Sequence, residues 1–258
     1  MQRISRQHID YRIDKTVSPI LEINPGDSVI FETYDARTGT IQSDSDLLDH
    51  AHPDGANPAT GPVYVHSAEP GDALVVDIEK IDLAPEGFLA VKAGEGLLGH
   101  LADAYATRIV PIKNGIVHFG DLRFPANPMV GVIGAAPAGE GISTSFAGPH
   151  GGNMDNKYLT EGSRIHLPVA VPGALCSVGD VHGAMGDGEI TFIGLEICAE
   201  VQVKIGIEKN AAPKRPLINS ATTPGSRRSG QRHSSQWGHG VRAIHGHADT
   251  TQARQIMQ

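Results

Sequence analysis

Apolar and polar positions alternate most cleanly over residues 201–208, where Val201, Val203, Ile205 and Ile207 fall on one side of an extended chain and Gln202, Lys204 and Glu208 on the other. A period of two is that of a half-buried strand. Shorter apolar, β-branched runs at 28–34, 62–66, 73–79, 108–112, 116–119, 129–135, 164–171, 174–178 and 190–197 predict further strands. Two of these follow the same turn: Asn24-Pro25-Gly26-Asp27 leads into Ser28, and Glu69-Pro70-Gly71-Asp72 leads into Ala73. Pro-Gly-Asp has turn chemistry, so the recurrence predicts two strands of similar design and suggests an internal duplication. Residues 43–50 (SDSDLLDH) predict a short helix capped by Ser43 or Asp44, with His50 and His52 beyond it.

Composition supports the β reading. The chain has 31 Gly and 17 Pro among 258 residues, which punctuate short strands and are costly inside helices. That length suffices for a substantial core, in one large or two smaller units. The expected fold is mainly β, with few short helices and a disordered C-terminal tail.

The tail is set apart by composition. Residues 224–258 hold Arg227, Arg228, Arg232, His233, His239, His245 and His247 among Ser, Gly and Gln, with few large apolar groups. So little apolar surface does not offset the entropy of ordering the segment. Residues 1–213 carry 14 basic and 28 acidic groups, a balance of −14 within the overall −8. Such a body repels nucleic acid and anionic membrane and leaves small neutral or cationic ligands as partners. Cys176 and Cys198 lie in apolar runs and make no disulfide framework. With no apolar leader at the N-terminus and no run of about 18 apolar residues, a cytoplasmic, unexported protein is expected.

Two glycine-rich runs concentrate the chemistry. Pro149-His150-Gly151-Gly152-Asn153-Met154-Asp155 and the stretch from Gly179-Asp180-Val181-His182 to Gly186-Asp187-Gly188-Glu189 set imidazole and carboxylate groups among glycines. They read as loops outside the core, able to surround a metal ion or small polar ligand. Asp180 and His182, two apart, share a face of an extended backbone and could share an ion. Asp35 closes the strand of residues 28–34 and is either a strand-end functional group or a turn cap. His66 and His166, inside strand-like runs, read as satisfied structural histidines.

These stretches resemble the acetamidase/formamidase family of metal-associated amide hydrolases. Asn57-Pro58-Ala59-Thr60-Gly61-Pro62-Val63-Tyr64-Val65-His66-Ser67-Ala68-Glu69-Pro70-Gly71-Asp72 is similar to its N-P-x-T-G-P-x-x-V-x-x-A-x-P-G-D motif, and Gly131-Val132-Ile133-Gly134-Ala135-Ala136-Pro137 to its G-V-I-G-x-A-P stretch. The two glycine-rich runs resemble its two characteristic loops. The resemblance covers roughly residues 1–220 and implies a mainly β fold with sandwich-like or barrel-like subdomains, hydrolysis of formamide or acetamide to ammonia and carboxylate, a bound divalent metal (zinc, with calcium as the other choice) and a homo-oligomer. It implies metal ligands among Asp35, Asp180 and His182, with Glu189 as ligand or base. His150 and Asp155 would join Glu189 at the catalytic centre, and Asn153, Gly151 and Gly152 would bind substrate. Amide hydrolysis needs an activated water, a polarised carbonyl and a proton for the departing amine, which a cation and a nearby carboxylate supply.

The alternative is a non-catalytic or inactivated metal- or ligand-binding β protein. A cupin-type oxygenase ranks last, because neither His50-Ala51-His52 nor His245-Gly246-His247 lies in the required setting. A serine amidase has no Gly-x-Ser-x-Gly elbow to support it. From about Pro224 the chain departs from the family's apolar continuation, which suggests a reading-frame change near Thr223 and makes 221–258 an atypical tail.

Overall fold

The computed structural model describes residues 1–48, 55–187, 189–220 and the two-residue strand His233–Ser234. The remainder of the expected tail, together with His50 and His52, lies outside the described residues. Strands dominate. One seven-stranded sheet runs in the order Gln2–Ile4, Ser28–Thr33, Ala199–Glu208, Ala73–Leu83, Arg164–Pro168, Leu217–Asn219 and His233–Ser234. A twelve-stranded sheet has Cys176–His182 near its centre, flanked by Met129–Ala135, Glu196–Ile197 and Ala59–Val65. The only helix among the described residues is the single turn Gly99–Leu101, and none is long and apolar enough to cross a membrane.

The two sheets share one core, as a sandwich does. Val29, Phe31, Val76, Ile78, Val201, Val203 and Ile205 from the first meet Val63, Val65, Val130, Ile133, Val178 and Val181 from the second. The alternation at 201–208 is thus the inward face of the long strand Ala199–Glu208, with Lys204 exposed on the other side. The repeated Pro-Gly-Asp turns have the same geometry. Asp27 accepts the Asn24 amide at 2.9 Å and Asp72 the Glu69 amide at 2.9 Å. The strands that follow them, Ser28–Thr33 and Ala73–Leu83, flank Ala199–Glu208 on its two edges.

Four expectations change. Residues 43–48 form turns and not a helix, because Asp46 Oδ2 accepts the amides of Gln42 and Ser43 (both 2.8 Å) and closes the chain on itself. The strand expected at 174–178 runs on to His182, so Gly179-Asp180-Val181-His182 is buried strand and not loop. Conversely, 190–197 is strand only at Glu196–Ile197, and the residues before it form an irregular arm. His66 is exposed, 3.4 Å from Glu22, and His166 leaves Nδ1 without a partner, so neither is a fully satisfied core histidine.

Candidate functional site

Three chain segments converge where Met129–Ala135 and Cys176–His182 pair. The ladder joins Met129 to His182, Val130 to Val181 and Val132 to Gly179, and passes over Gly131 and Asp180. Asp180 has φ 50°, a left-handed kink inside a strand that few non-glycine residues adopt. Its carboxylate is 2% exposed and lies 3.6 Å from His182 Nε2. Asp155 (φ 39°) follows the strand Gly151–Asn153 and is anchored by the Met154 amide on the Gly131 carbonyl at 2.9 Å. Glu189 (φ 41°) comes from the arm after His182 and places Oε1 3.7 Å from His182 Nδ1. Strain at three members of one cluster is typical of a site whose surroundings over-determine it.

Glu196 completes the cluster, and sequence reasoning missed it. It pairs with His182 across the ladder, sets Oε1 3.3 Å from His182 Nε2 and accepts the Gly194 amide at 3.1 Å. Its signal was a lone acid in the apolar run Gly194-Leu195-Glu196-Ile197, since a carboxylate buried among apolar groups is rarely idle.

Four carboxylates and one imidazole are therefore packed together almost without water. Two sets have ligand atoms within 4.8 Å of one another: Asp155, Asp180 and His182, and His182, Glu189 and Glu196. Asp155 Oδ1, Asp180 Oδ1, His182 Nδ1 and Glu196 Oε2 are buried with no hydrogen-bond partner. Burial, then the Asp180 charge, pushes the Asp155 carboxyl up to about 7. Burial, then Asp155, pushes Glu189 up to about 9, and burial pushes Glu196 up to about 8. Burial penalises the His182 cation, but Glu196 and Asp180 together outweigh it and hold the imidazole well above 6.5. Like charges out of water, with orphaned oxygens facing inward, are stabilised by a cation. The donor set fits a divalent ion.

The other expected residues fall elsewhere. Asp35 is buried, but Oδ1 accepts the amides of Arg37 (2.8 Å) and Gly39 (3.0 Å), and Oδ2 lies 3.7 Å from the Cys198 thiol. It caps a turn and is in neither cation set, although burial and, more weakly, nearby Asp180 raise its carboxyl. His150 is also outside both sets. Its ring packs against Gly148 and Gly152, both nitrogens lack partners, and burial pushes it down to about 4, so it is neutral near pH 7. Gly151 and Gly152 adopt φ 95° and 83° in the hairpin beneath it, and Asn153 Oδ1 is buried without a hydrogen-bond partner. Cys198 is only partly buried.

These shifts fix a pH dependence. The ordinary carboxyl values are 3.8 and 4.5, so Asp155, Glu196 and Glu189 bind protons more tightly when folded. Their contribution to stability is complete below about pH 4 and is lost as pH rises through about 7 to 9, and raised His182 acts in the same direction. His150, held down, acts oppositely: its contribution is present above 6.5 and lost as pH falls through about 4. The melting temperature of metal-free protein should therefore fall from about pH 6 to about pH 9, and a saturating divalent cation should flatten the fall. Melts with chelator and with added ion read this directly. A flat metal-free profile would remove the electrostatic account of the cluster.

Comparison with known proteins places this geometry. A formamidase of Methylophilus methylotrophus is 28% identical over 265 residues, covering 80% of this chain, and this chain spans 65% of its length. The crystal structure of an acetamidase from Bacillus halodurans superposes with a TM-score of 0.82 at 39% identity, covering 84% of this chain and 74% of that one. A gamma lactamase from Delftia acidovorans gives 0.76 at 27% identity, covering 84% of this chain and 69% of that one. The model of the Acetamidase/Formamidase family matches residues 2–145 and 138–255, the second stretch running through most of the compositionally distinct C-terminal segment. This chain belongs to the acetamidase/formamidase family.

Proposed function

We propose that the chain hydrolyses the C–N bond of a short aliphatic amide, formamide or acetamide, to ammonia and the carboxylate with the help of a divalent cation. The observation that carries this reading is the buried, unpartnered cluster of Asp155, Asp180, His182, Glu189 and Glu196 in a member of this family. Asp155, Asp180 and His182 would hold the ion, zinc by its affinity for imidazole or calcium by its preference for oxygen. When bound, such an ion supplies Lewis acidity and a water of lowered pKa.

The chain's own residues do the rest. Glu189 keeps 19% of its side chain exposed, against 1–3% for Asp180, His182 and Glu196, so it faces solvent from the edge of the cluster. Without a cation its carboxyl is pushed up to about 9, and its place at the solvent edge suits it to exchange a proton with the departing amine, the step at which an amide most needs help. Glu196 holds the His182 ring from one side while Gly194 leaves room on the other, where an added Cβ would lie 2.8 Å from the ring. Neutral His150 and Asn153 would line the substrate side with Gly151 and Gly152. Residues 1–220 would form the working unit, in a homo-oligomer, and the free thiols Cys176 and Cys198 suit a reducing cytoplasm.

The test uses the purified full chain. Formamide and acetamide should release ammonia, and dialysis against chelator should reduce the rate at least about a hundredfold, with zinc or calcium restoring it. Unchanged turnover in metal-free protein would reject the cation's role. A γ-lactam belongs in the panel because its ring opening yields an amino acid and no ammonia. A second reading, cation binding without turnover, needs only the same buried, unpartnered cluster. It would show as stoichiometric ion with no product from any amide.

A further inference from the structure

Asp187, one of the acids singled out in the sequence, is not in the cluster: it is exposed and paired with Lys157 Nζ at 2.7 Å. Its placement is nonetheless specific. Lys157 stands two residues after Asp155, and Asp187 stands two residues before Glu189. At Asp155 and Glu189 the chain kinks through positive φ, so each carboxylate is drawn toward the cluster while its neighbour two positions away reaches the surface. The ion pair therefore joins, from outside, the two segments that bring Asp155 and Glu189 together inside. Inside, ionising both carboxylates together is disfavoured, each raising the other's hold on its proton or calling for a cation; outside, opposite charges draw the two segments together. On its other side the arm is held by the Leu98 amide on the Ile190 carbonyl at 3.2 Å and by Lys92 over the Phe192 ring.

We propose that the Lys157–Asp187 ion pair is a latch that positions Glu189 against Asp155 and closes the solvent side of the cluster over its occupants. The inference rests on the hydrolytic reading above for its effect on turnover, but not for its effect on the arm. Both are positioning residues and touch no reacting group.

Charge reversal tests it in the full chain. Lys157→Glu and Asp187→Lys should each lower kcat for formamide about fivefold, the upper range for an exposed ion pair, with KM changing less. Each should also speed loss of bound zinc to chelator and amide hydrogen exchange of residues 185–192 by about the same factor. The double reversal should bring all three back to within about twofold of the parent. Salt at 1 M, which screens exposed charges, should mimic the single reversals in the parent and leave Lys157→Ala unmoved. The latch is overturned if the double reversal fails to restore exchange, or if the single reversals match the parent. If the parent releases no ammonia, the hydrolytic reading fails alone, because exchange in metal-free protein still reports the latch.

Discussion

Asp180→Asn should make the metal-free protein more stable and leave almost nothing of the proposed amide hydrolysis. Asparagine is the closest match in shape and tolerates the left-handed φ of 50° that Asp180 adopts, so the backbone is not disturbed. What changes is charge. One of four carboxylates becomes neutral, which relieves the repulsion felt by Asp155, Glu189 and Glu196, all of which count Asp180 among the causes of their raised values. The gain should be roughly 1 kcal/mol in a urea or thermal melt with chelator present. Cation affinity measured by calorimetry should fall at least about tenfold, and ammonia release at least about a hundredfold, since several kcal/mol of charge stabilisation would be lost. A variant that melts lower than the parent yet keeps its turnover would show that Asp180 is structural and the cluster is not the reacting centre.

Opposite signs are expected because the cluster is a cost to folding. Buried carboxylates without partners are kept only where something else compensates them, and an imidazolium that already serves two neighbours cannot satisfy four. The same argument separates Asp180 from Asp35. Both are buried aspartates near a strand end, but Asp35 is satisfied by two backbone amides and a thiol while Asp180 Oδ1 has no hydrogen bond.

This difference marks what was legible in the sequence. Strands were legible where one face is buried and the other wet, as in Ala199–Glu208, since alternation survives only there. Cys176–His182 is buried along its whole length, so it carries no alternation, and its glycine reads as a loop signal. In fact Gly179 is small because another backbone presses on it: an added Cβ would lie 2.8 Å from the Ala59 Cα. The pairing of Asp180 with His182 was legible from spacing, although the contact is made through a kink and not by regular alternation. Asp155 and Glu189 were legible as polar groups in glycine-rich company, but His150 and Asp187 had the same company and lie outside the cluster. Glu196 was hidden because its run reads simply as strand, and its role depends on pairing with His182, a contact set by the sheet. Composition and spacing reveal which groups can do chemistry; long-range pairing decides which of them meet.

The pairing itself predicts a second large effect, at a residue with no side chain. Gly131 sits where the Met129–Ala135 ladder passes over Asp180, and its carbonyl accepts the amide of Met154. A Cβ there would lie 2.7 Å from the Asp180 carbonyl oxygen, 2.8 Å from Asp155 Oδ1 and 2.9 Å from Asp180 Oδ2. The carbonyl belongs to a paired strand and cannot retreat without breaking hydrogen bonds, so the two carboxylates must move instead. Gly131→Ala should therefore cost about 1–3 kcal/mol by overpacking. It should also lower ammonia release by about a hundredfold or more, because displacement of about 1 Å at a reacting centre is that expensive. Gly139→Ala is the matched control, since its Cβ would meet nothing within 4 Å, and it should stay within about 0.5 kcal/mol of the parent with full turnover. Melts with chelator, cation titrations and ammonia assays on the two variants side by side separate a tight backbone cradle from a general intolerance of alanine. If Gly131→Ala behaves like Gly139→Ala in all three, the carboxylates are not held against this strand, and the site must be sought elsewhere on the sheet.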